Sequence, residues 1–456
     1  MTAPIEGYFM DNLHSEKTTY KQESKRLTAK VDAPRWLTNF DAYDTLNEIN
    51  DKGGSFLDVG CGTNVIGASI AIKYPQIKVT GVDINEKRIS AAAKTWKNLP
   101  NINAVPAMAT ALPFKMNRFD FVHSRFLFEY LDSKAETALR EMFRVCKRDG
   151  TVVVQDIDEN MVNHTGMDSE LFQDLMYIVE RLKSDHVFDP YMGSKLESMF
   201  MQNGFVNVKV DKRPYHNCNG VATSDFMQRE TKKLNNLMPV FHKIFNDYQK
   251  AVEVKDKYLR HLADPLTSTH SQIFTVHAVK PSTAYETRRI NDFYVKIDKE
   301  ENSHVTVRPE DFITFLLKKE EELQRKLVAT RFDTDGHLIL SCYIQPLDVM
   351  QNIYAFRGVA SSRHDFGSFA FINSFLQQNR DLTLITKVTD KKTVKSLQVL
   401  GFKVFDDSNG GFRAFKSNYG NLLHLYIKEP WNRKAEEDYI RENAIFCIKE
   451  RCDRKQ

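Results

Sequence analysis

The stretch from Phe56 to Asn64 constrains the fold of this chain more than any other segment. It reads FLDVGCGTN, a short apolar run that enters a loop with two glycines, and a helix-compatible segment from Val65 to Tyr74 follows. Glycine adopts positive φ readily and lets the backbone approach a ligand closely at a helix N-terminus. The pattern therefore predicts a strand, a tight turn and a helix, with a ligand at the turn.

The next predicted strand, IKVTGVD, ends at Asp83, about 20 residues after the glycine turn, the spacing at which a carboxylate binds a ribose hydroxyl pair. A nicotinamide dinucleotide is disfavoured, because Val65 stands where the third glycine of G-x-G-x-x-G belongs. Asp58 would also repel a pyrophosphate at the mouth of the turn. S-adenosylmethionine (SAM), which has no phosphate and carries a positive amino-acid end, suits that carboxylate better.

These residues resemble the first motif of the class I SAM-dependent methyltransferases, in which a strand-end acid, the glycines and a second-strand acid occupy the same places. The alternative is a generic glycine-rich turn between a strand and a helix. The resemblance covers roughly residues 15 to 280. It implies an α/β fold with a Rossmann-like, doubly wound, seven-stranded methyltransferase sheet and a cofactor beyond the carboxyl ends of the strands.

The resemblance also implies a set of cofactor contacts. Met108 stands where the family often has an aspartate that accepts from the adenine amino group, so we expect apolar contact and backbone groups to hold the adenine. A predicted helix with Tyr20 and Arg26 would cover the cofactor; for Arg26 a solvated charge on a surface helix is the alternative. The residues expected to bind the cofactor are Asp58, Gly60, Gly62, Asn64, Asp83, Ile84, Met108, Ala109, Ser124, Arg125, Arg26 and Tyr20.

Two histidines are candidates for catalysis. His164 lies in the polar loop expected after the fifth strand, above the acceptor, where it would act as general base toward a hydroxyl. His123 lies near the end of the fourth strand and would face the same site. The alternatives are an exposed loop histidine and a satisfied structural histidine. Methyl transfer is an in-line displacement that depends mainly on positioning, so a base is optional.

After a predicted linker at 281–284 the pattern changes. We expect a strand at 293–297, a helix at 309–327, a hairpin that turns at 333–336, and then alternating strands and helices that end in a strand at 422–428. This order, with the segment KSLQVLGF that ends at Phe402, is similar to the GNAT acyltransferase fold.

The chemical features of that family are weak in this second segment. Leu397 stands at the place of the usual tyrosine and Asp390 at the place of the usual asparagine. The stretch matched to the coenzyme A phosphate loop, 361–368, keeps one glycine and adds Asp365, whose repulsion of phosphate Arg363 would partly offset. A noncatalytic GNAT-like module is therefore as credible as an active acetyltransferase.

Length and composition limit the remaining possibilities. The 456 residues allow domains at 1–280, with a helical insertion at about 224–263, and at 281–456. A net charge of +4 is too balanced for a nucleic-acid partner. No apolar run approaches a membrane span, and the N-terminus lacks a signal-peptide core. The six cysteines form no C-x-x-C pair, so we expect no metal site and a cytoplasmic location.

We therefore expect a SAM-dependent methyltransferase that acts on an oxygen or nitrogen atom of a small-molecule acceptor. The alternatives are a noncatalytic SAM-binding scaffold that works through its second domain, a bifunctional methyl- and acetyltransferase, and a protein methyltransferase whose second domain recruits the target. The expected partners are the small-molecule acceptor and, through the C-terminal domain, a second copy of the chain or another protein. No membrane partner is expected.

Overall fold

The computed structural model describes residues 42–185, 188–301, 310–362, 366–388, 391–405, 418 and 445–451. The chain divides into two units, Met1–Pro281 and Ser282–Gln456. Among the helices of the described ranges, none has the length and apolar character needed to cross a membrane. Five residues singled out in the sequence, and the strand predicted at 422–428, lie outside the described ranges; the residues are Tyr20, Arg26, Asp365, Asp390 and Arg363.

In the first unit, one or two α-helices separate successive strands along the chain, except that β3 leads to β4 without an α-helix. The elements are α1 (Ala42–Asp51), β1 (Ser55–Val59), α2 (Val65–Lys73), β2 (Lys78–Asp83), α3 (Glu86–Thr95), β3 (Ile102–Pro106), β4 (Phe119–Arg125), α4 (Ala135–Val145), β5 (Cys146–Thr165), α5 (Ser169–Ser184), α6 (Met192–Gln202), β6 (Val206–Asn219), α7 (Ser224–Phe245), α8 (Tyr248–Ala263) and β7 (Ser268–Val279).

The seven strands form one sheet with the order β3-β2-β1-β4-β5-β7-β6. The first five strands in this order are parallel to one another, whereas β7 pairs antiparallel with β5 and β6. The expected Rossmann-like α/β sheet is thus confirmed, and it is mixed. The strand order reverses between β1 and β4, so a crevice opens at their carboxyl ends, where open α/β sheets bind ligands.

The apolar start of β5 explains its place near the middle of the sheet. Val152 and Val154 pack into the core on one face of the sheet, and Val153 packs into the core on the other face. Strands buried on both faces are uniformly apolar, because helices cover both sides. The run TVVVQ therefore fixes β5 between two layers of helices.

The asparagine that follows the glycine turn closes the first strand–helix unit onto its neighbours. Asn64 has a φ of +56°, is buried, and donates from its side chain to the carbonyl of Asn103 on β3. A Cβ added at Gly81 would lie 2.7 Å from the Asn64 amide, and one added at Gly67 would also touch it. The sequence suggested Asn64 as a cofactor ligand; the structure places its side chain inside the fold, because two glycines leave room for it there.

The fifth strand is longer than its sequence indicates. A loop was expected at 158–166, but β5 continues to Thr165, and its last three residues pair with 268–270 of β7 after a register shift. β6 extends equally far, to Asn219. The loop prediction was wrong because the polar residues there are stabilised by backbone pairing between three strands, which an apolar pattern does not reveal.

The segment expected as a helical insertion forms α7 and α8, which pack on α5. Leucines of α5 and α7, among them Leu175 and Leu237, meet Val254 and Tyr258 of α8 in a separate core cluster. The chain enters this cluster directly from the extended β5, because α5 begins four residues after Thr165, the last residue of that strand.

The second unit contains α9 (Thr283–Glu301), α10 (Glu310–Leu323), β8 (Val328–Phe332), β9 (Leu338–Asp348), β10 (Ile353–Ser361), α11 (Phe366–Gln378), β11 (Thr383–Val388), α12 (Lys391–Val399), β12 (Lys403–Phe405) and β13 (Ile445–Lys449). Its described strands form a sheet with the order β12-β13-β11-β10-β9-β8. β10 and β11 are parallel, and the other pairs are antiparallel.

Two parts of this unit differ from the sequence prediction. Residues 293–297, predicted as a strand, belong to α9, where Ile290, Phe293, Tyr294 and Ile297 are buried together. Their spacing of three and four residues is that of one helix face, which a short window of apolar residues conceals. β13 was not predicted at all.

The packing of Asn64 is testable by a double-mutant cycle. We expect Gly81→Ala to destabilise the protein by about 1–3 kcal/mol, because the new methyl group overlaps the Asn64 amide. Asn64→Gly removes that amide and keeps the positive φ accessible, so the double variant should lose less stability than the sum of the single variants. Denaturant unfolding measures all four proteins. Strict additivity would contradict this packing.

Candidate functional site

The backbone of the glycine turn is held against β2. The amides of Gly60 and Cys61 both donate to the carbonyl of Val82, at 2.8 and 2.9 Å. Gly60 and Gly62 have φ values of +76° and +55°, which side chains rarely tolerate. A Cβ at Gly62 would meet no atom within 4 Å, so this side of the turn is open.

One aromatic and one aliphatic side chain pack against other parts of this turn. The Trp96 indole donates to the carbonyl of Thr63 at 2.9 Å. Leu127, from the segment after β4, lies where a Cβ of Gly60 would be, at 2.9 Å. The turn is therefore held between the C-terminal end of α3 and the segment after β4, and its surface at Gly62 is open.

The carboxylate at the end of β2 faces this open surface. Asp83 accepts from the amides of Gly62 and Asn85, both at 2.9 Å, one on each oxygen. Burial raises the pKa of Asp83, and the two amide donors oppose that rise. Each carboxylate oxygen keeps a further lone pair, so the group can still accept from a pair of hydroxyls.

Two large apolar side chains are exposed next to this carboxylate. Ile84 is 60% exposed directly after β2, and Met108 is 52% exposed after β3. The amide of Ala107 donates to the carbonyl of Asp83, which brings the two strand ends together, and Ala109 packs partly into the core. Exposed apolar side chains beside a polar group are typical of a ligand surface.

Asp58, expected to face the positive end of the cofactor, binds a histidine instead. Its Oδ1 lies 2.9 Å from Nδ1 of His123, which is only 1% exposed. The two residues are paired in register on β1 and β4, and the His123 ring stacks near Phe56. This burial favours the structural role for His123 over the catalytic one.

Ser124 and Arg125 end β4 in different environments. The Ser124 hydroxyl is fully buried and donates to the carbonyl of Val59, so it joins two strands and does not face a cofactor. The Arg125 guanidinium stacks over the ring of Phe126 at 4.1 Å. Burial lowers the pKa of Arg125 to about 10, with Tyr215 the first group to oppose it, so the guanidinium remains cationic at neutral pH.

The turn after β4 carries acidic groups that the sequence analysis missed. Asp156 of β5 is fully buried and accepts from the amides of Phe128 and Glu129, at 2.7 and 3.3 Å. Glu129 is 2% exposed, and the Tyr130 hydroxyl is hydrogen-bonded to it. Their signal was available: Glu129 follows β4 closely, and Asp156 lies on β5 one residue beyond the partner of the last residue of β4, where open α/β sheets bind ligands.

His164 does not lie at this crevice. Its Nδ1 is 3.0 Å from the hydroxyl of Thr269, and its ring packs against Tyr258 and His261. The carboxyl end of β4 is level with Gln155 of β5, which pairs with Thr275 of β7. Thr269, the contact of His164, lies six residues away from Thr275 along β7. That is about 20 Å at the rise of a β-strand. A general base needs hydrogen-bond reach, so this placement argues against the role expected for His164.

The residues at the ends of β1, β2 and β3 fit SAM. Asp83 has the lone pairs for the ribose hydroxyls, Ile84 and Met108 present the apolar surfaces for adenine, and Gly62 leaves open space at the turn. The amide of Gly62 is used by a carboxylate of the protein, which suits a ligand without phosphate. The buried hydroxyl of Thr63 has no hydrogen-bond partner within the described structure and lies in the same turn.

Known proteins resemble part of this chain. A family model described as a methyltransferase domain matches residues 56–150. The chain is 30% identical over 205 residues to a demethylmenaquinone methyltransferase of Staphylococcus saprophyticus, covering 41% of this chain and 87% of that protein. It is 31% identical over 172 residues to the protein of the same name from Staphylococcus carnosus, covering 35% and 70%.

A solved structure is also similar to part of this chain. The chain is 16% identical, with a TM-score of 0.36, to a putative sarcosine dimethylglycine methyltransferase from Galdieria sulphuraria. That match covers 57% of this chain and 86% of the other.

The cofactor assignment can be tested at Asp83 and Gly60. Asp83→Ala removes charge-assisted hydrogen bonds and should weaken SAM binding by about 1.5–3 kcal/mol, or tenfold or more. Gly60→Val should weaken it as well, because its side chain would overlap Leu127. Calorimetric titration with SAM measures both. Glu86→Gln, an exposed change in the first turn of α3, is the matched control; unchanged affinity in Asp83→Ala would refute the assignment.

Proposed function

The chain belongs to the SAM-dependent methyltransferases, and we propose that it transfers the methyl group of SAM to an oxygen or nitrogen atom of a small-molecule acceptor. When bound, SAM supplies an electrophilic methyl group on a sulfonium. Asp83, Ile84 and Met108 would hold its adenosine part. The remaining side chains at the crevice would then position the acceptor and accept its proton.

The burial of the polar groups beside the cofactor surface carries the proposal of a small acceptor. Glu129 and Asp156 lie inside the unit, after β4 and within β5, and aromatic rings accompany them. Phe126 contacts Tyr215 edge-to-face at 5.4 Å between ring centroids, and Tyr130 packs on Phe188 at 5.8 Å. A nucleophile must enter this enclosed space to reach the acids. That favours a small molecule over a protein side chain on a large surface.

A second candidate is methylation of a ring carbon of a hydroquinone. The two curated relatives are named demethylmenaquinone methyltransferases, and this chain covers most of their length. A hydroquinone offers both a hydroxyl oxygen and an activated ring carbon, and the same aromatic surroundings suit either. The alternatives of a noncatalytic scaffold and a protein methyltransferase predict no methylation of small molecules.

Labelled SAM distinguishes these outcomes. We expect the full chain to methylate a reduced 1,4-naphthoquinone, or another member of a panel of phenols and amines, with release of S-adenosylhomocysteine. The Asp83→Ala variant should be at least tenfold slower at low SAM, because it binds the cofactor more weakly.

The product identifies the atom. A methyl group on oxygen is removed by hot hydroiodic acid, whereas one on a ring carbon survives. Label retained after this treatment would favour the carbon acceptor over oxygen. Transfer only to proteins of a cell extract would contradict the small-molecule proposal, and no transfer at all would favour the scaffold.

We further infer that the second unit is a GNAT-like module that serves as a docking or dimerisation surface and does not transfer acetyl groups efficiently. The parallel pair β10–β11 within an otherwise antiparallel sheet, flanked by α11 and α12, supports this fold. Leu397 supports the lack of catalysis, because it is buried among the core residues of α12 and cannot donate a proton to a thiolate.

The absence of acetyl transfer is directly testable. With acetyl-CoA and a panel of amines, we expect the full chain to release thiol at no more than the rate without protein, since Leu397 offers no acid. A thiol-reactive dye measures the release, and an active acetyltransferase serves as positive control. Steady thiol release that requires both protein and amine would make the chain bifunctional.

A further inference from the structure

Two buried acids, Asp156 and Glu129, meet at the turn after β4. Asp156 Oδ2 accepts from the backbone amides of Phe128 and Glu129, so it lies against the turn that carries the Glu129 side chain. Its other oxygen accepts from the amide of Ile157 at 2.9 Å. Asp156 therefore holds the turn in place, and the position of Glu129 depends on that turn.

A buried carboxyl group with a second acid in its surroundings does not ionise readily. Burial raises the pKa of Asp156 well above its usual range, and the charge of Glu129 raises it further, while the three backbone amides oppose the rise. Burial and the neighbouring like charge both favour the neutral form of Asp156, so a proton taken up beside this turn is stabilised.

Charged and hydroxyl groups from several elements surround this pair. Arg125 of β4 interacts electrostatically with Asp156 and with Tyr215 of β6, and Tyr215 interacts with Glu129. From α7, Glu230 and Lys233 interact with Tyr215.

Tyr130 connects this pair to the carboxylate of β2. Its hydroxyl is hydrogen-bonded to Glu129, and it interacts with Arg88 of α3. Arg88 Nη1 lies 3.8 Å from Oδ2 of Asp83. Through Arg88 the acid pair is connected to the carboxylate expected to hold the ribose.

We propose that Glu129, held by Asp156, is the proton acceptor for a hydroxyl group on an aromatic acceptor, and that Arg125 stabilises the resulting phenolate. This inference deepens the proposed function and rests on it. The acceptor O–H bond breaks and its proton moves to the Glu129 carboxylate. The phenolate oxygen, or the ring carbon beside it, then forms a bond to the methyl group, and the electron pair of the S–CH₃ bond stays on sulfur. Where the ring carbon attacks, its C–H bond breaks afterwards, the proton leaves to solvent, and the electron pair of that bond restores the aromatic ring.

The surroundings favour a phenol over an amine. A phenolate gains from the buried guanidinium of Arg125, whereas an ammonium group would be repelled by it. The rings of Phe126 and Tyr215, and those of Tyr130 and Phe188, offer flat apolar surfaces on which an aromatic acceptor packs. Phe126 has a φ of +53°, an uncommon conformation for a bulky residue, at the point where β4 ends.

A chromogenic phenol tests proton transfer without knowledge of the natural acceptor. The probe is 4-nitrophenol with S-adenosylhomocysteine present, at one pH unit below the pKa of the free phenol, where about nine-tenths of it is neutral. We expect the wild-type protein to bind it mostly as the yellow phenolate. Calorimetry in two buffers of different ionisation enthalpy should show no proton released to the buffer, because the acid pair takes it.

Two variants and one control isolate Glu129. In Glu129→Gln the bound probe should be neutral, or become phenolate only with release of a proton to the buffer. Tyr130→Phe, which removes the hydroxyl bonded to Glu129, should give an intermediate phenolate fraction. Glu136→Gln, an exposed change on α4, should match the wild type. Unchanged affinity for S-adenosylhomocysteine confirms that each variant is folded.

The outcomes separate this inference from the proposed function. Binding of the probe as neutral phenol to the wild type, or unchanged phenolate without proton release in Glu129→Gln, would overturn the inference. Failure of 4-nitrophenol to bind, or tighter binding of 4-nitrobenzylamine, would overturn the phenol class. Turnover of labelled SAM tests the proposed function separately. Methylation of an amine without any phenolate signal would support methyl transfer and would refute Glu129 as the base for a phenol.

Discussion

The attachment of the glycine turn to β2 is the constraint on which the site depends. Two successive amides share the carbonyl of Val82, a third donates to Asp83, and the Asn64 amide fills the space above Gly67 and Gly81. These contacts use the turn's own donors within the protein. The result is a rigid edge that presents a carboxylate and an open glycine face in place of a phosphate cradle.

The second half of the crevice depends on a different interaction, the buried Asp156 carboxylate. It accepts from three backbone amides of β5 and of the turn after β4, and so determines where Glu129 and the adjacent Tyr130 lie. A single buried acid thereby organises the proposed acceptor side, as Asp83 organises the proposed cofactor side. The proton acceptor proposed at Glu129 would be pre-organised by backbone hydrogen bonds rather than by flexible side chains.

The antiparallel β7 gives this unit its particular form. It lies between β5 and β6, and the three strands continue together beyond the parallel part of the sheet. The extension carries Tyr215 toward the crevice and His164 away from it, into the surroundings of Tyr258 and His261 on α8. Antiparallel pairing permits this, because each added residue pair completes its own hydrogen bonds without a crossover helix.

The sequence by itself determined the local units of the cofactor side. The apolar run before Gly60, the acid at Asp83 and the apolar Met108 are encoded within short segments, and the turn needs glycine at positive φ, so pattern and spacing suffice. Only the tertiary structure decided that Asn64, Ser124 and Asp58 bind the protein itself and that Glu129 meets Asp156. Those contacts join residues 27 to 65 positions apart, and their partners are set by strand order and register, which no local pattern contains.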